Sequence, residues 1–275
     1  MAIYHLHVKT GSRKNGASAR AKAQYIQREA KYEHQQDRCL YKESEHMPEW
    51  AEEHATDYWE AADTYERANG RLYKEIEFAL PRELDQDQQI DLARAFAHDL
   101  TDDENLPYTL AVHEGGGDNP HAHVLISERM NDGIERDKDR WFSRFNRDEP
   151  ELGGAEKTTS LKPKEWLEQT REDWAKEVNQ ALEREGYDLS IDHRSLEEQG
   201  IDRVPQMHLG VHALAMEERG LETERGDRFQ EIEELNKSYE LERSRQLEYE
   251  RTLEHGQERS HDHERTHDYG YDLDY

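Results

Sequence analysis

Pro120-His121-Ala122-His123-Val124-Leu125-Ile126-Ser127 follows the turn Gly115-Gly116-Gly117-Asp118-Asn119 and reads as a β-strand. Strand side chains alternate between faces. His121, His123, Leu125 and Ser127 therefore share one face, and Ala122, Val124 and Ile126 the other. The preceding run, Tyr108-Thr109-Leu110-Ala111-Val112-His113, should pair with it as an antiparallel hairpin. That pairing brings His113 beside His121 and His123. Three imidazoles with coordination positions left open make a catalytic rather than a structural kind of metal site. Taken alone, a His-x-His pair also fits an ordinary exposed strand face.

Moving outward, three more segments carry strong periodicity. Residues 2–9 alternate, with Tyr4, Leu6 and Val8 on one face and Ile3, His5 and His7 on the other. Residues 71–80 place Leu72, Ile76, Phe78 and Leu80 opposite Tyr73, Glu75, Glu77 and Ala79. Between residues 85 and 103, Ile90, Leu92, Ala93, Phe96, Ala97 and Leu100 recur at helical spacing. Each strand has one apolar face for helices to cover. Each also has a polar face: His5 and His7, Glu75 and Glu77, then His113, His121 and His123. The expected architecture is α+β, an antiparallel sheet with a packed back and a reactive front.

A helix is expected from about Ala17 to His34, rich in strong helix formers. It carries Tyr25, with Lys22, Arg28 and Glu29 at helical neighbour positions. A tyrosine among small alanines and flanked by cations suits nucleophilic attack beside a phosphate. It equally suits plain packing on the core. Arg13 and Lys14 lie in a basic loop, Gly11-Ser-Arg-Lys-Asn-Gly16, just ahead of this helix.

A second helix over 48–68 would anchor Trp50, Tyr58, Trp59 and Tyr65 in the core. From 129 to 159 the chain reads as loop, with Trp141, Phe142, Arg144, Phe145 and Arg147 interleaved as unpaired bases and phosphates would require. A packed surface loop is the competing reading. Pro163 opens and Gly186 closes a helix with Trp166, Leu167, Trp174, Val178 and Leu182 on one stripe.

The bulk numbers narrow the class. At 33% hydrophobic and 37% charged, the core must be compact and much of the chain solvated. No apolar run is long enough to span a bilayer. The single cysteine, Cys39, fits a reducing compartment and reads as incidental. The net charge of −27 argues superficially against nucleic acid, but its distribution is uneven. Residues 1–40 hold eight basic and three acidic residues, whereas 221–275 hold eight basic and seventeen acidic. An acidic surface with few lysines suits a salt-loaded cytoplasm, where screening weakens repulsion from DNA. Residues 221–254 read as a solvated helix at best, and 255–275 as disordered.

Taken together these residues resemble the MobA/MobL family of plasmid mobilisation relaxases, which are histidine-hydrophobe-histidine endonucleases. The resemblance is carried by Tyr4-His5-Leu6-His7-Val8, by Ser18-Ala19-Arg20-Ala21-Lys22-Ala23-Gln24-Tyr25 and by Lys74-Glu75-Ile76-Glu77-Phe78-Ala79-Leu80-Pro81. His113 with Asn119-Pro120-His121-Ala122-His123-Val124, and then Gln199-Gly200-Ile201-Asp202 with His208-Leu209-Gly210, complete it.

The resemblance implies a relaxase domain over 1–220 built on a five-stranded antiparallel sheet flanked by helices, followed by an acidic tail over 221–275. It implies Tyr25 as the nucleophile and His113, His121 and His123 as ligands of Mg²⁺ or Mn²⁺. Glu75 and Glu77 would orient the histidines or handle a proton. The substrate implied is single-stranded or supercoiled oriT DNA, contacted by Lys22, Arg28, Arg13, Lys14 and Arg144. The product would be a 5′-phosphotyrosyl adduct, later rejoined. Accessory mobilisation proteins and a type IV secretion coupling protein are the implied partners. The implied location is the cytoplasm, with passage to a recipient cell on the DNA. Two other readings stay open on the residues: a water-using metal phosphodiesterase with Tyr25 structural, and a non-catalytic DNA-binding accessory protein.

Overall fold

The computed structural model describes the chain except residues 1–3, 35–36, 116–118, 206–212, 214–215, 218 and 268–275; side chains are not described over 247–267. Ile3 and His208-Leu209-Gly210 therefore lie outside the described residues. The chain divides into two compact units, residues 1–193 and 194–275. The segment from Asp192 to Gly220, grouped on sequence with the first domain, straddles that division.

The first unit is an α+β layer structure. Its strands are β1 (Leu6–Ser12), β2 (Cys39–Glu45), β3 (Arg71–Ala79), β4 (Tyr108–His113) and β5 (His121–Ile126). They form one sheet in the order β1-β3-β5-β4-β2, with every pairing antiparallel. Its main helices are α1 (Ala19–Ile26), α2 (Ala55–Tyr65), α3 (Gln86–Thr101), the short α4 (Lys138–Trp141) and α5 (Lys164–Arg184).

The back of the sheet follows the expected alternation. Leu6, Ile76, Phe78, Leu110, Val112, Ala122, Val124 and Ile126 pack with α3 and α5 into one core. Phe78, Phe96 and Trp174 meet at its centre, with ring centroids 4.4–5.1 Å apart. Offset and edge contacts of this kind add to the area that the rings bury.

The front differs from the expected open reactive face. Ala111 and Leu125 lie in a second core with Ala19, Ala23 and Ile26 of α1 and Tyr58 and Trp59 of α2. Only the other end of the front face is polar. Trp141 and Phe142 belong to this second core and are fully buried, so they cannot stack on bases. Tyr65, expected as an anchor, is 45% exposed. Leu72 joins the second core next to Tyr73 rather than the back. The register of β1 on β3 shifts between Gly11 and Ser12, which breaks the alternation there. A Cβ at Gly11 would run into the Tyr73 ring.

Several boundaries move. β1 continues through Gly11-Ser12, where a loop was expected. The helix expected to reach His34 stops at Ile26, because Arg28 and Ala30 adopt positive φ angles of 54° and 53°. The helix expected over 48–68 is a single 3₁₀ turn, Glu49–Ala51, followed by α2. Strand β2 has no counterpart in the sequence reading. It is a half-buried edge strand of alternating charge and carries no apolar signature.

In the second unit, Asn236 accepts a hydrogen bond from the Val204 N–H and donates one to the Val204 carbonyl. The C-terminal helix runs from Glu224 to His267, further than a solvated helix ending near 254. Its backbone extends into the stretch expected to be disordered. Among the described residues, no helix is long and apolar enough to cross a membrane.

Candidate active site

Sheet register assembles the polar end of the front face rung by rung. Ala79, His121 and His113 lie opposite one another on β3, β5 and β4. The next rung is His7, Glu77, His123 and Ala111 across β1, β3, β5 and β4. The three imidazole rings of His113, His121 and His123 are 5.0–5.2 Å apart, centre to centre. Their ligand nitrogens all lie within 4.8 Å of one another.

Each ring has one nitrogen committed to an acceptor. His113 Nε2 donates to the Ile26 carbonyl at 2.6 Å. His121 Nδ1 donates to the Asn119 carbonyl at 3.0 Å, and His123 Nδ1 donates to Glu75 Oε1 at 3.0 Å. Carbonyl and carboxylate oxygens only accept, so those nitrogens carry the protons. His113 Nδ1, His121 Nε2 and His123 Nε2 are left as unprotonated nitrogens, the first of them accepting from Arg28 at 3.2 Å. Such outer hydrogen bonds fix the tautomer and aim of metal-ligating histidines. The donor set fits a divalent cation.

Electrostatics keep the His113 and His123 rings neutral. Burial pushes His113 down to about 3, against a favourable bond to the Ile26 carbonyl. Burial also lowers His123, with Glu75 opposing. Burial alone would raise the Glu75 carboxyl. The hydrogen bond from His123 and the Lys22 ammonium outweigh it and bring it to about 2. Glu75 is thus a permanent carboxylate at neutral pH and orients His123 rather than carrying a proton. Glu77 is likewise lowered: burial raises it, while His123 and Lys9 prevail, with Lys9 Nζ 3.1 Å from its Oε2.

Helix α1 is held by α2 at one end and by this cluster at the other. At its N-terminus the Ser18 hydroxyl accepts from the Ala21 N–H. The Asp63 carboxylate accepts from the Ala19 and Arg20 N–H groups and from the Ser18 hydroxyl, at 2.6–3.1 Å. A carboxylate there is favoured by the exposed N–H groups and the helix dipole. Ala19 and Ala23 are fully buried, and their small size lets the helix lie close on the second core. At its C-terminus the Ile26 carbonyl is the acceptor for His113. From the middle, Lys22 Nζ reaches Glu75 Oε1 at 2.7 Å.

Tyr25 is half-buried between two cations, with Lys22 Nζ 5.1 Å and Arg28 Cζ 4.7 Å from its ring centre. Tyr32 meets it edge-on at 5.4 Å. Arg28 is itself buried. It donates to the Tyr25 carbonyl at 2.6 Å, to Asp37 Oδ2 at 2.8 Å and to His113 Nδ1 at 3.2 Å.

Tyr25, Lys22, Arg28, Glu75, Glu77, His113, His121 and His123 thus meet in one place. Both cations are tied to internal carboxylates, Lys22 to Glu75 and Arg28 to Asp37. Arg13 bonds the Asp63 carbonyl in the turn before α1, while Lys14 beside it is exposed. Arg144 is exposed on the loop after α4. Asp37 and Asp63 had no sequence signal. They act through residues 76 and 44 positions away, respectively, and neither stands in a motif. Burial would raise the Asp37 carboxyl, but the Gly115 N–H, His113 and Arg28 hold it below its usual range.

The MobA/MobL family model matches residues 14–219. Mobilization protein A of Escherichia coli is 62% identical over 236 residues, covering 86% of this chain and 33% of that protein. A 43 kDa relaxation protein of Salmonella typhimurium is 44% identical over 213 residues, covering 74% of this chain and 56% of that one. The chain thus spans a third to just over half of these relatives. A chain solved in work on the molecular basis of vancomycin resistance transfer in Staphylococcus aureus is 25% identical, with a TM-score of 0.56. It is covered in full by 70% of this chain.

Proposed function

This chain belongs to the MobA/MobL family, and we propose that it is a metal-dependent DNA relaxase that nicks one strand at oriT through Tyr25. The observation that carries the reading is the pair of charged links joining α1 to the histidines. Lys22 runs to Glu75 and so to His123, and Arg28 runs directly to His113. A tyrosine that merely packed would not need both cations beside it to be anchored on the imidazole cluster. The names of the relatives, a mobilization protein and a relaxation protein, agree with this reading.

His113, His121 and His123 would hold Mg²⁺ or Mn²⁺, which when bound supplies Lewis-acid polarisation of the scissile phosphate. The Tyr25 phenol oxygen attacks phosphorus in line. A bond from that oxygen to phosphorus forms and the bond to the 3′ oxygen breaks. The phenol gives up its proton and the 3′ oxygen takes one. One phosphodiester replaces another, so the DNA end can be rejoined without a nucleotide cofactor. Lys22 and Arg28, held beside the ring, offset charge on the phosphate. Glu75 keeps His123 in one tautomer and Glu77 holds Lys9 at the rim. Arg13, Lys14 and Arg144 supply cations for the strand away from the reacting phosphate, and the acidic tail of residues 221–275 serves accessory or coupling proteins in the cytoplasm.

Single-stranded oligonucleotides tiled across the flanking DNA, incubated with Mn²⁺ and run on a denaturing protein gel, test this. A slow covalent band should form with the wild type and vanish in Tyr25→Phe. Cleavage by both without a band would replace the reading with a water-using phosphodiesterase.

A further inference from the structure

Three imidazole nitrogens are an incomplete donor set for Mg²⁺ or Mn²⁺, which favour oxygen. A carboxylate oxygen stands next to two of them. Asp37 Oδ2 lies 3.4 Å from His113 Nδ1 and 3.7 Å from His121 Nε2, the unprotonated nitrogens of those two rings. Those two nitrogens are 3.3 Å apart. The three atoms are spaced as neighbouring ligands of one ion would be: with metal–donor distances of roughly 2.1 Å, adjacent donors fall at about 3.0–3.4 Å. Their spacing needs only small adjustments.

The same atoms already gather positive charge. Arg28 Nη2 sits 2.8 Å from Asp37 Oδ2 and 3.2 Å from His113 Nδ1, donating to both. The other Asp37 oxygen is held independently by the Gly115 N–H at 2.8 Å, which fixes the carboxylate in the site from the β4 side. Asp37 is placed by the start of β2, where the Glu114 N–H donates to the Arg38 carbonyl and Cys39 lies opposite His113.

We propose that Asp37 is a fourth, oxygen ligand of the divalent ion held by His113, His121 and His123. It shares that position with the Arg28 guanidinium, which gives way when the ion binds. This rests on the reading of the histidines as a divalent-ion site. It makes the segment just ahead of β2, the polar edge strand, part of the metal centre.

Two variants of the full chain separate a ligand from a residue that only positions Arg28. In a calorimetric titration with Mn²⁺, Asp37→Asn should bind more weakly than wild type. Groups that merely support ligands are worth about 10–100-fold in affinity, and a direct donor should cost no less. Arg28→Gln, freed of a competing cation, should bind Mn²⁺ at least as tightly as wild type. The Mn²⁺ electron paramagnetic resonance spectrum should change in Asp37→Asn and stay close to wild type in Arg28→Gln. Asp37→Asn binding like wild type, or both variants weakened alike, would overturn the inference and leave Asp37 a partner of Arg28. A wild type that takes up no Mn²⁺ would instead remove the metal reading itself. Circular dichroism melts establish that each variant is folded.

Discussion

Two buried charged networks lie in the first unit, and they differ in how completely they are satisfied. In one, Arg129 and Glu66 pair at 3.0 Å with both side chains 2% exposed. The remaining Arg129 donors go to the carbonyls of Trp141, Phe142, Ser143 and Ala155. Lys157 adds a second cation to Glu66 at 3.0 Å. The Arg129 guanidinium is saturated. The other network joins Glu75, His123, Lys22, Arg28, Asp37 and His113, with equal burial of its central members. It leaves one unprotonated nitrogen on each of three rings, all within 4.8 Å of one another, with a single arginine donor shared among them at His113. A saturated buried network can only hold the fold, whereas lone pairs kept dry and convergent are available for chemistry.

The largest effect that tests this contrast is on stability. Arg129→Ala leaves Glu66 with Lys157 alone and strands four carbonyls, and breaking a buried pair in this way costs about 3–5 kcal/mol. Urea denaturation should show that loss, while Mn²⁺ affinity, measured where the variant remains folded, should match wild type. Comparable loss of metal binding would show that the networks are not separable.

Next comes Glu75→Gln. It removes the carboxylate that fixes His123 and anchors Lys22, so Mn²⁺ affinity should fall by about 10–100-fold. Unfolding free energy should change less than in Arg129→Ala.

The site network should also lose stability in a window of its own, above the acid window that its carboxylates share with Glu66. The unfolded chain protonates His113 near 6.5, while the folded chain refuses the proton until about 3. Between those values the unfolded state binds more protons, so stability falls as pH falls. Glu66 behaves as a lowered carboxylate: burial raises it, but Arg129 and Lys157 outweigh burial. Its contribution is fully present above its usual 4.5 and is lost as pH drops through its lowered value. Stability of EDTA-treated protein should therefore begin to decline near pH 6.5, by at most about 1.4 kcal/mol per pH unit for one group. His113→Asn should shrink that first phase, to which His123 also contributes, and leave the phase below 4.5. An unchanged profile in the variant would remove His113 as its source.

The histidine end was readable because its ligands sit on paired strands. Period-two alternation fixed the face, and a short turn fixed the partners His113 and His121. The same argument located Glu75 and Glu77 beside them. Tyr25 was readable as a tyrosine set among alanines, and burial of Ala19 and Ala23 explains why those positions are small. Legibility ended where contacts span the chain without periodicity. Asp37 reaches His113 from the bend that leads into an edge strand with no apolar pattern. Asp63 caps a helix that begins 44 residues earlier. Trp141 and Phe142 resembled a base-binding loop because sequence alone cannot tell that Arg129 draws their carbonyls inward.

The smallest predicted effect concerns that distant cap. Asp63→Ala should cost about 1 kcal/mol, the usual value of a lost helix cap. Because α1 carries Tyr25, it should also slow adduct formation more than it changes Mn²⁺ affinity, as single-turnover kinetics would resolve.

The central claim is that the chemistry runs through Tyr25 and no other side chain. Mass spectrometry of the covalent product after nuclease and trypsin digestion addresses it directly. Cleavage after Lys22 and Arg28 releases Ala23–Arg28, whose only tyrosine is Tyr25, while neighbouring Tyr32 falls on a separate peptide. A nucleotide phosphate on the 23–28 peptide is the predicted result. The same mass on the Tyr32 peptide, on a histidine, or on no peptide at all would contradict it.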